Sequence, residues 1–135
     1  MTREKMIKKI KFLAKEAKLR IQYKMAKDCI FCKIVKGEIK SAPVYQTDTV
    51  MAINDINPVA ASHVLIFPKR HIDSVLTVKK GDGEALEDMF AVAQKLISER
   101  RLEAFRLAFN GGRYQHVPHL HMHLVAGSTI KWSQL

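Results

Sequence analysis

Three histidines separated by single apolar residues, His119-Leu-His121-Met-His123, are the residues of this chain best suited to chemistry. Imidazole changes charge near neutral pH and serves as nucleophile, proton shuttle or metal ligand. Three in a row can divide those tasks. The chain has two cysteines, Cys29 and Cys32, in a C-x-x-C spacing. Such a pair supplies half of a tetrahedral zinc site, which two imidazoles would complete. The alternatives are two free thiols or a redox pair, and the redox reading lacks an accompanying βαβ pattern.

Positioning these groups requires particular elements. In a strand, alternate side chains share a face. Residues 119–126 read as a strand, with the three histidines on one face and Leu120, Met122 and Leu124 packing a core behind them. An exposed histidine patch is the alternative, which the clean alternation disfavours. Upstream, Asp28 is placed to N-cap a short helix over 29–36, ended by Gly37. Strands follow at 44–46 and 49–54, joined through Thr47-Asp48, and Asn57-Pro58 marks a loop. Residues 63–67 read as a buried strand stopped by Pro68. After the Gly81-Asp82-Gly83 turn, Leu86, Met89, Phe90, Ala93, Leu96 and Ile97 give residues 83–101 helical spacing. A further strand covers 105–109. Antiparallel strands with one main helix make an α+β domain.

The 135 residues suffice for one domain, and 47% hydrophobic with 27% charged residues is a globular balance. No apolar run approaches the roughly 20 residues that a bilayer span needs. The start, Met1-Thr-Arg-Glu-Lys, lacks the features of a secretory signal, so the expected location is cytoplasmic. The net charge of +10 is concentrated: residues 1–24 hold nine basic and two acidic residues, the remainder fourteen basic and eleven acidic. Met6, Ile10, Leu13, Ala17 and Ile21 recur at the spacing of one helical face. Residues 1–25 therefore read as a basic amphipathic helical extension to a domain spanning 26–135. The extension's stripe could pack on the domain, stay poorly ordered, or meet an anionic membrane surface, RNA or a partner groove. Met25-Ala-Lys-Asp also reads as a translation start.

His119-Leu-His-Met-His-Leu-Val125 resembles the signature of the histidine triad (HIT) superfamily, His-φ-His-φ-His-φ-φ with φ apolar. Cys29-Ile-Phe-Cys-Lys-Ile34, Asn54-Asp-Ile-Asn-Pro58 and His63-Val-Leu-Ile-Phe-Pro-Lys-Arg-His-Ile72 are similar to the family's successive blocks, in order. The resemblance runs from about Lys27 to Leu135. The tail that ends in Trp132 is similar to the nucleotide-binding "Hint" branch. The resemblance implies an antiparallel sheet with one main helix, paired into a homodimer with a continuous sheet. It also implies cleavage at the α-phosphate of a purine nucleotide without a catalytic metal. His121 would be the nucleophile that forms a nucleotidyl-histidine, His123 the partner on the leaving-group side, and Asn110 a phosphate-side residue, with Gln115 also at the nucleotide. Asp55 sits where the family places the acid that reads the ribose; it also reads as an Asx-turn residue. Ile30, Phe31, Ile34, Ile53, Ile56 and Leu65 match positions that sandwich the base, although Ile34 and Leu65 equally read as core.

By the same resemblance, Cys29, Cys32, His71 and His119 are expected to bind a structural zinc ion. Three departures stand out. The loop between Asn110 and Gln115 is short, with Tyr114 in a glycine's place, and Arg113 reads equally as a phosphate ligand or a solvated loop charge. His116 replaces a small hydroxyl residue, and Asn54 stands where the branch often has histidine. The expected activity is hydrolysis of purine nucleoside phosphoramidates or related nucleoside monophosphate conjugates. The alternatives are a dinucleotide polyphosphate hydrolase, an adenylated nucleic-acid hydrolase that grips through residues 1–24, and a non-catalytic nucleotide-sensing or scaffold dimer.

Overall fold

Period-two patterning in the body of the chain produces a five-stranded antiparallel sheet in the computed structural model, which describes residues 2–22, 26–127 and 129–135 and, within 15–22, the backbone alone. The strands are β1 (Tyr45–Gln46), β2 (Val50–Asn54), β3 (Ser62–Pro68), β4 (Arg106–Phe109) and β5 (Met122–Ala126), in the order β1-β2-β3-β5-β4. The helices are α1 (Arg3–Gln22), α2 (Ile30–Lys36) and α3 (Gly83–Glu99).

Register decides which side chains meet. Val64 and Ile66 of β3 lie opposite Leu124 and Met122 of β5, and Ala52 of β2 opposite Ile66. With Leu120 they form a buried layer against Met89, Val92, Ala93 and Leu96 of α3. Burying each of the larger side chains contributes about 1.5–3 kcal/mol. Residues of the opposite parity, Met51, Ile53, Leu65 and Phe67, form a second layer with Phe31 and Cys32 of α2. His123 opposes Leu65 on this second face. One face of the sheet thus packs on α3, and the other carries α2 and the triad histidines.

Several boundaries differ from the sequence expectation. Cys29, not Asp28, caps α2: its Sγ accepts the Cys32 amide at 3.4 Å, so the helix begins at Ile30. Gly37 ends it as expected, in the left-handed region at φ 81°, returning its N–H to Ile34 and Lys33 carbonyls. β5 starts at Met122 rather than at residue 119. The His119 amide bonds Val117 O at 2.8 Å and the Leu120 amide Ile72 O at 2.6 Å, so neither joins the ladder. Phe105 falls outside β4. α3 ends at Glu99, and Arg101 beyond it takes the left-handed φ of 52°.

The extension is helical over α1, but Met6, Ile10 and Leu13 are each about half exposed, so these three do not pack on the sheet. The side chains of Ala17 and Ile21, Met25 and Ser128 lie outside the described residues. Among the described residues, no helix is long and apolar enough to cross a membrane.

Candidate functional site

The end of β5 and the segment before it bring the triad together as the alternation requires. His119, His121 and His123 are all buried on the α2 side of the sheet. The His121 and His123 ring centroids are 5.0 Å apart, and the edge of Phe31 meets both His119 and His121. Hydrogen bonds then fix which nitrogens are free. His121 Nδ1 lies 2.7 Å from the His119 carbonyl. A carbonyl only accepts, so Nδ1 carries the proton and Nε2 keeps its lone pair.

His63 settles the third histidine in the same way. Its Nδ1 accepts the Val59 amide at 3.1 Å, and its Nε2 lies 2.8 Å from His123 Nδ1. A neutral His63 therefore carries its proton on Nε2 and donates to His123. His123 in turn presents a protonated Nε2. Asn110 Nδ2 lies 3.4 Å from that nitrogen; a protonated Nε2 requires the carboxamide turned over, so that its oxygen accepts. Burial pushes the His121 and His63 pKa values down, Asp55 opposing it at both. His123 is pushed down to about 4 by burial, and then by His121 and His63. All three are uncharged at neutral pH.

The histidines form one wall of a cavity of about 520 Å³, within the size range of small-molecule sites. Ile30, Phe31, Ile53, Asp55, Ile56 and Leu65 line it, as do Ile34, Asn54 and His116. Ile56 stands at the rim, 90% exposed, available to a ligand rather than buried in the core. Phe31 stacks on Phe67 with centroids 4.5 Å apart, which joins the cavity wall to the core. Asp55 makes an Asx turn, its Oδ1 accepting the Asn57 amide at 2.8 Å, while Oδ2 lies 3.4 Å from His63 Nε2. The turn holds the carboxylate at the cavity and leaves lone pairs to receive a ligand's hydroxyls.

Three residues considered for the nucleotide site, Asn110, Arg113 and Gln115, lie off the cavity lining; Asn110 reaches it only through His123. Gln115 is not among the cavity-lining residues; its amide donates to Asp73 O at 2.8 Å and Val117 O at 3.0 Å. Arg113 lies over the Tyr114 ring at 5.5 Å, also off the cavity lining. The sequence reading missed His63, whose role depends on the register of β3 with β5. It also missed Gln134 and Leu135, which reach the cavity from the chain end.

A second cluster lies beyond Phe31. Cys29, Cys32, His71 and His119 bring four potential ligand atoms within 4.8 Å of one another. His119 Nε2 bonds the Pro68 carbonyl at 2.7 Å, and His71 Nε2 the Asp73 carboxylate at 2.6 Å. With Nε2 as the donor, the neutral form of each ring turns a lone pair on Nδ1 inward, and these two nitrogens face each other at 3.2 Å. Two lone pairs cannot hydrogen-bond to each other. The Cys–His contacts are 3.3, 3.4 and 3.7 Å. A tetrahedral ion with N and S ligands at zinc distances has N···N edges of about 3.3 Å and N···S edges of about 3.5 Å, so the cluster fits such an ion. The Cys32 side chain, bonding to Cys29, holds the Cys29 thiol well below its ordinary range, to about 3, and the same contact pushes Cys32 up.

Comparison with known proteins agrees with this geometry. The family described as "Scavenger mRNA decapping enzyme C-term binding" matches residues 28–134. The chain is 41% identical over 110 residues to the purine nucleoside phosphoramidase of Escherichia coli K12, covering 78% of this chain and 92% of that protein. It is 36% identical over 107 residues to an adenosine 5'-monophosphoramidase of Candida albicans, covering 72% and 68%. Among solved structures, a histidine triad protein from Clostridium difficile superposes with TM-score 0.73 at 40% identity, covering 78% of this chain and 96% of that one. An HIT family hydrolase from Clostridium thermocellum does so with TM-score 0.73 at 39% identity, covering 77% and 94%.

Proposed function

The chain belongs to the histidine triad superfamily, and we propose that it hydrolyses purine nucleoside phosphoramidates or related nucleoside monophosphate conjugates through a nucleotidyl-histidine on His121. The observation that carries this reading is the His121 Nδ1 hydrogen bond to the His119 carbonyl, which leaves Nε2 as a fixed, uncharged nucleophile. The names of two relatives, both phosphoramidases, support the P–N substrate class.

In this reading Nε2 of His121 attacks the α-phosphorus and the P–N bond breaks. A water held at the His123 Nε2–H gives the departing amine its proton, because the uncharged His63–His123 pair orients that water and has no acidic proton of its own. The hydroxide that remains attacks phosphorus, breaks the bond to His121 Nε2 and releases the nucleoside monophosphate. Splitting one displacement into two is what nucleophilic catalysis supplies. Asn110 holds His123 and the phosphate side, Asp55 receives the ribose hydroxyls, and Ile30, Ile53, Ile56 and Leu65 enclose the base. Gln115 acts through the loop it braces rather than by touching nucleotide.

Cys29, Cys32, His71 and His119 would hold a structural Zn²⁺, which supplies a cross-link between α2 and the segment leading into β5. With four protein ligands it has no open position for catalysis. β4 is an edge strand in this sheet, and pairing across a homodimer would cover exposed surface there. The domain occupies residues 26–135, preceded by the basic extension 1–25, and works in the cytoplasm.

The test is AMP release from an adenosine phosphoramidate and from diadenosine polyphosphates, with the intact chain and His121→Ala. Preferential phosphoramidate turnover, lost by a factor on the order of 10³ or more in the variant, is expected. Equal turnover by the variant would overturn the assigned nucleophile. Preference for the polyphosphate would overturn the substrate class.

A further inference from the structure

We propose that α1 is a docking element for anionic phospholipid surfaces, which lays the catalytic domain against a membrane. Met6, Ile7, Ile10 and Leu13 are 50%, 42%, 59% and 51% exposed. At helical spacing they fall within an arc of about 120°. Lys9 and Lys11 flank that arc, and Lys5 and Lys8 occupy the far side. Arg3 falls on the same arc, but in the first turn, where its long stem can reach headgroups. Phe12 lies off the stripe, among the lysines. Across α1 the chain carries eight basic and two acidic residues.

Charge and apolar surface together select the occupant. The domain itself leaves the described part of the stripe uncovered. A second copy of α1 would bring two strongly basic helices side by side without the opposite charges that pair coiled-coil flanks. Nucleic acid would satisfy the lysines and leave the apolar arc in water. An anionic bilayer satisfies both: the arc enters the headgroup–acyl boundary and the lysines meet lipid phosphates. Since α1 is not apolar enough to span, it lies in the interface plane.

The experiment floats the full chain with vesicles of phosphatidylcholine alone and of phosphatidylcholine with phosphatidylglycerol. The expected result is recovery with the anionic vesicles at least about tenfold above that with the zwitterionic ones, falling as salt rises. Ile10→Glu with Leu13→Glu should abolish flotation, and Lys8→Gln with Lys9→Gln and Lys11→Gln should remove the preference for anionic lipid. Neither set touches the candidate site, so unchanged nucleotide hydrolysis, or an unchanged thermal transition if the chain has no turnover, confirms that each variant is folded. Equal recovery on both vesicle types, or undiminished flotation of the double glutamate variant, would overturn the proposal. So would salt-sensitive binding to an RNA oligonucleotide that survives the glutamate substitutions while no vesicles are bound.

Discussion

His63 Nε2 lies 2.8 Å from His123 Nδ1, and the Val59 amide occupies the other His63 nitrogen. A histidine some sixty residues upstream thereby decides which nitrogen of the third triad histidine faces the cavity. His63→Ala is expected to lower kcat about 10- to 100-fold while leaving KM within a few-fold, because the lost contact fixes the tautomer of His123 rather than binding nucleotide. Steady-state kinetics with a phosphoramidate checks this. A change in KM alone would assign His63 to binding.

Asp55 separates two roles in one side chain. Its Oδ1 serves the Asx turn and its remaining lone pairs face the cavity. Asp55→Asn keeps a turn acceptor but removes the charge that would strengthen hydrogen bonds from the hydroxyls of a ligand in the cavity. KM for a ribonucleoside substrate should rise about tenfold, equivalent to about 1.4 kcal/mol, with the thermal transition unmoved. A matching loss of thermal stability with KM unchanged would leave the turn as its whole role.

The buried histidines give stability a defined pH dependence. His123 is lowered from 6.5 to about 4 in the folded chain, so between those values the unfolded chain binds more protons. Its contribution to stability is complete above about pH 6.5, falls as pH drops through the window, and is fully lost below about pH 4. Thermal melts across that range should show stability rising with pH. His123→Gln should flatten the slope, since an amide has no proton to gain there.

The Cys–His cluster predicts one zinc per chain in a native mass spectrum, lost in Cys29→Ser with Cys32→Ser together with thermal stability. Asp73 holds His71 through Nε2 at 2.6 Å. Asp73→Ala should weaken zinc affinity about 10- to 100-fold without removing a ligand, as measured by competition with a chromophoric chelator. Unchanged affinity would show that the ring is held by its packing alone.

Much of the candidate site is legible in the chain itself. The alternation His119-Leu-His-Met-His places the histidines on one face and Leu120 and Met122 on the other, because strand geometry has a period of two. The cysteine spacing, too, put two sulfurs at one helix start. Boundaries were less legible where another partner takes the backbone amide: Cys29 Sγ displaces Asp28 as cap, and Val117 O and Ile72 O take the amides of His119 and Leu120 ahead of β5. Resemblance to the family puts Gln115 at the nucleotide, but in the fold its amide donates to Asp73 O and Val117 O, off the cavity lining.

The sequence by itself determined the family, the parity of each strand and the set of reactive side chains, since those follow from residue type and local periodicity. Tertiary structure alone decided which nitrogen of His119 and of His123 is free. Pro68 O for His119 and His63 for His123 come from segments distant in sequence, whereas Asp73 and the His119 carbonyl lie two residues from the His71 and His121 that they orient. An imidazole's two tautomers are close in energy until a fixed donor or acceptor selects one, and only the registered sheet and its loops hold those partners in place.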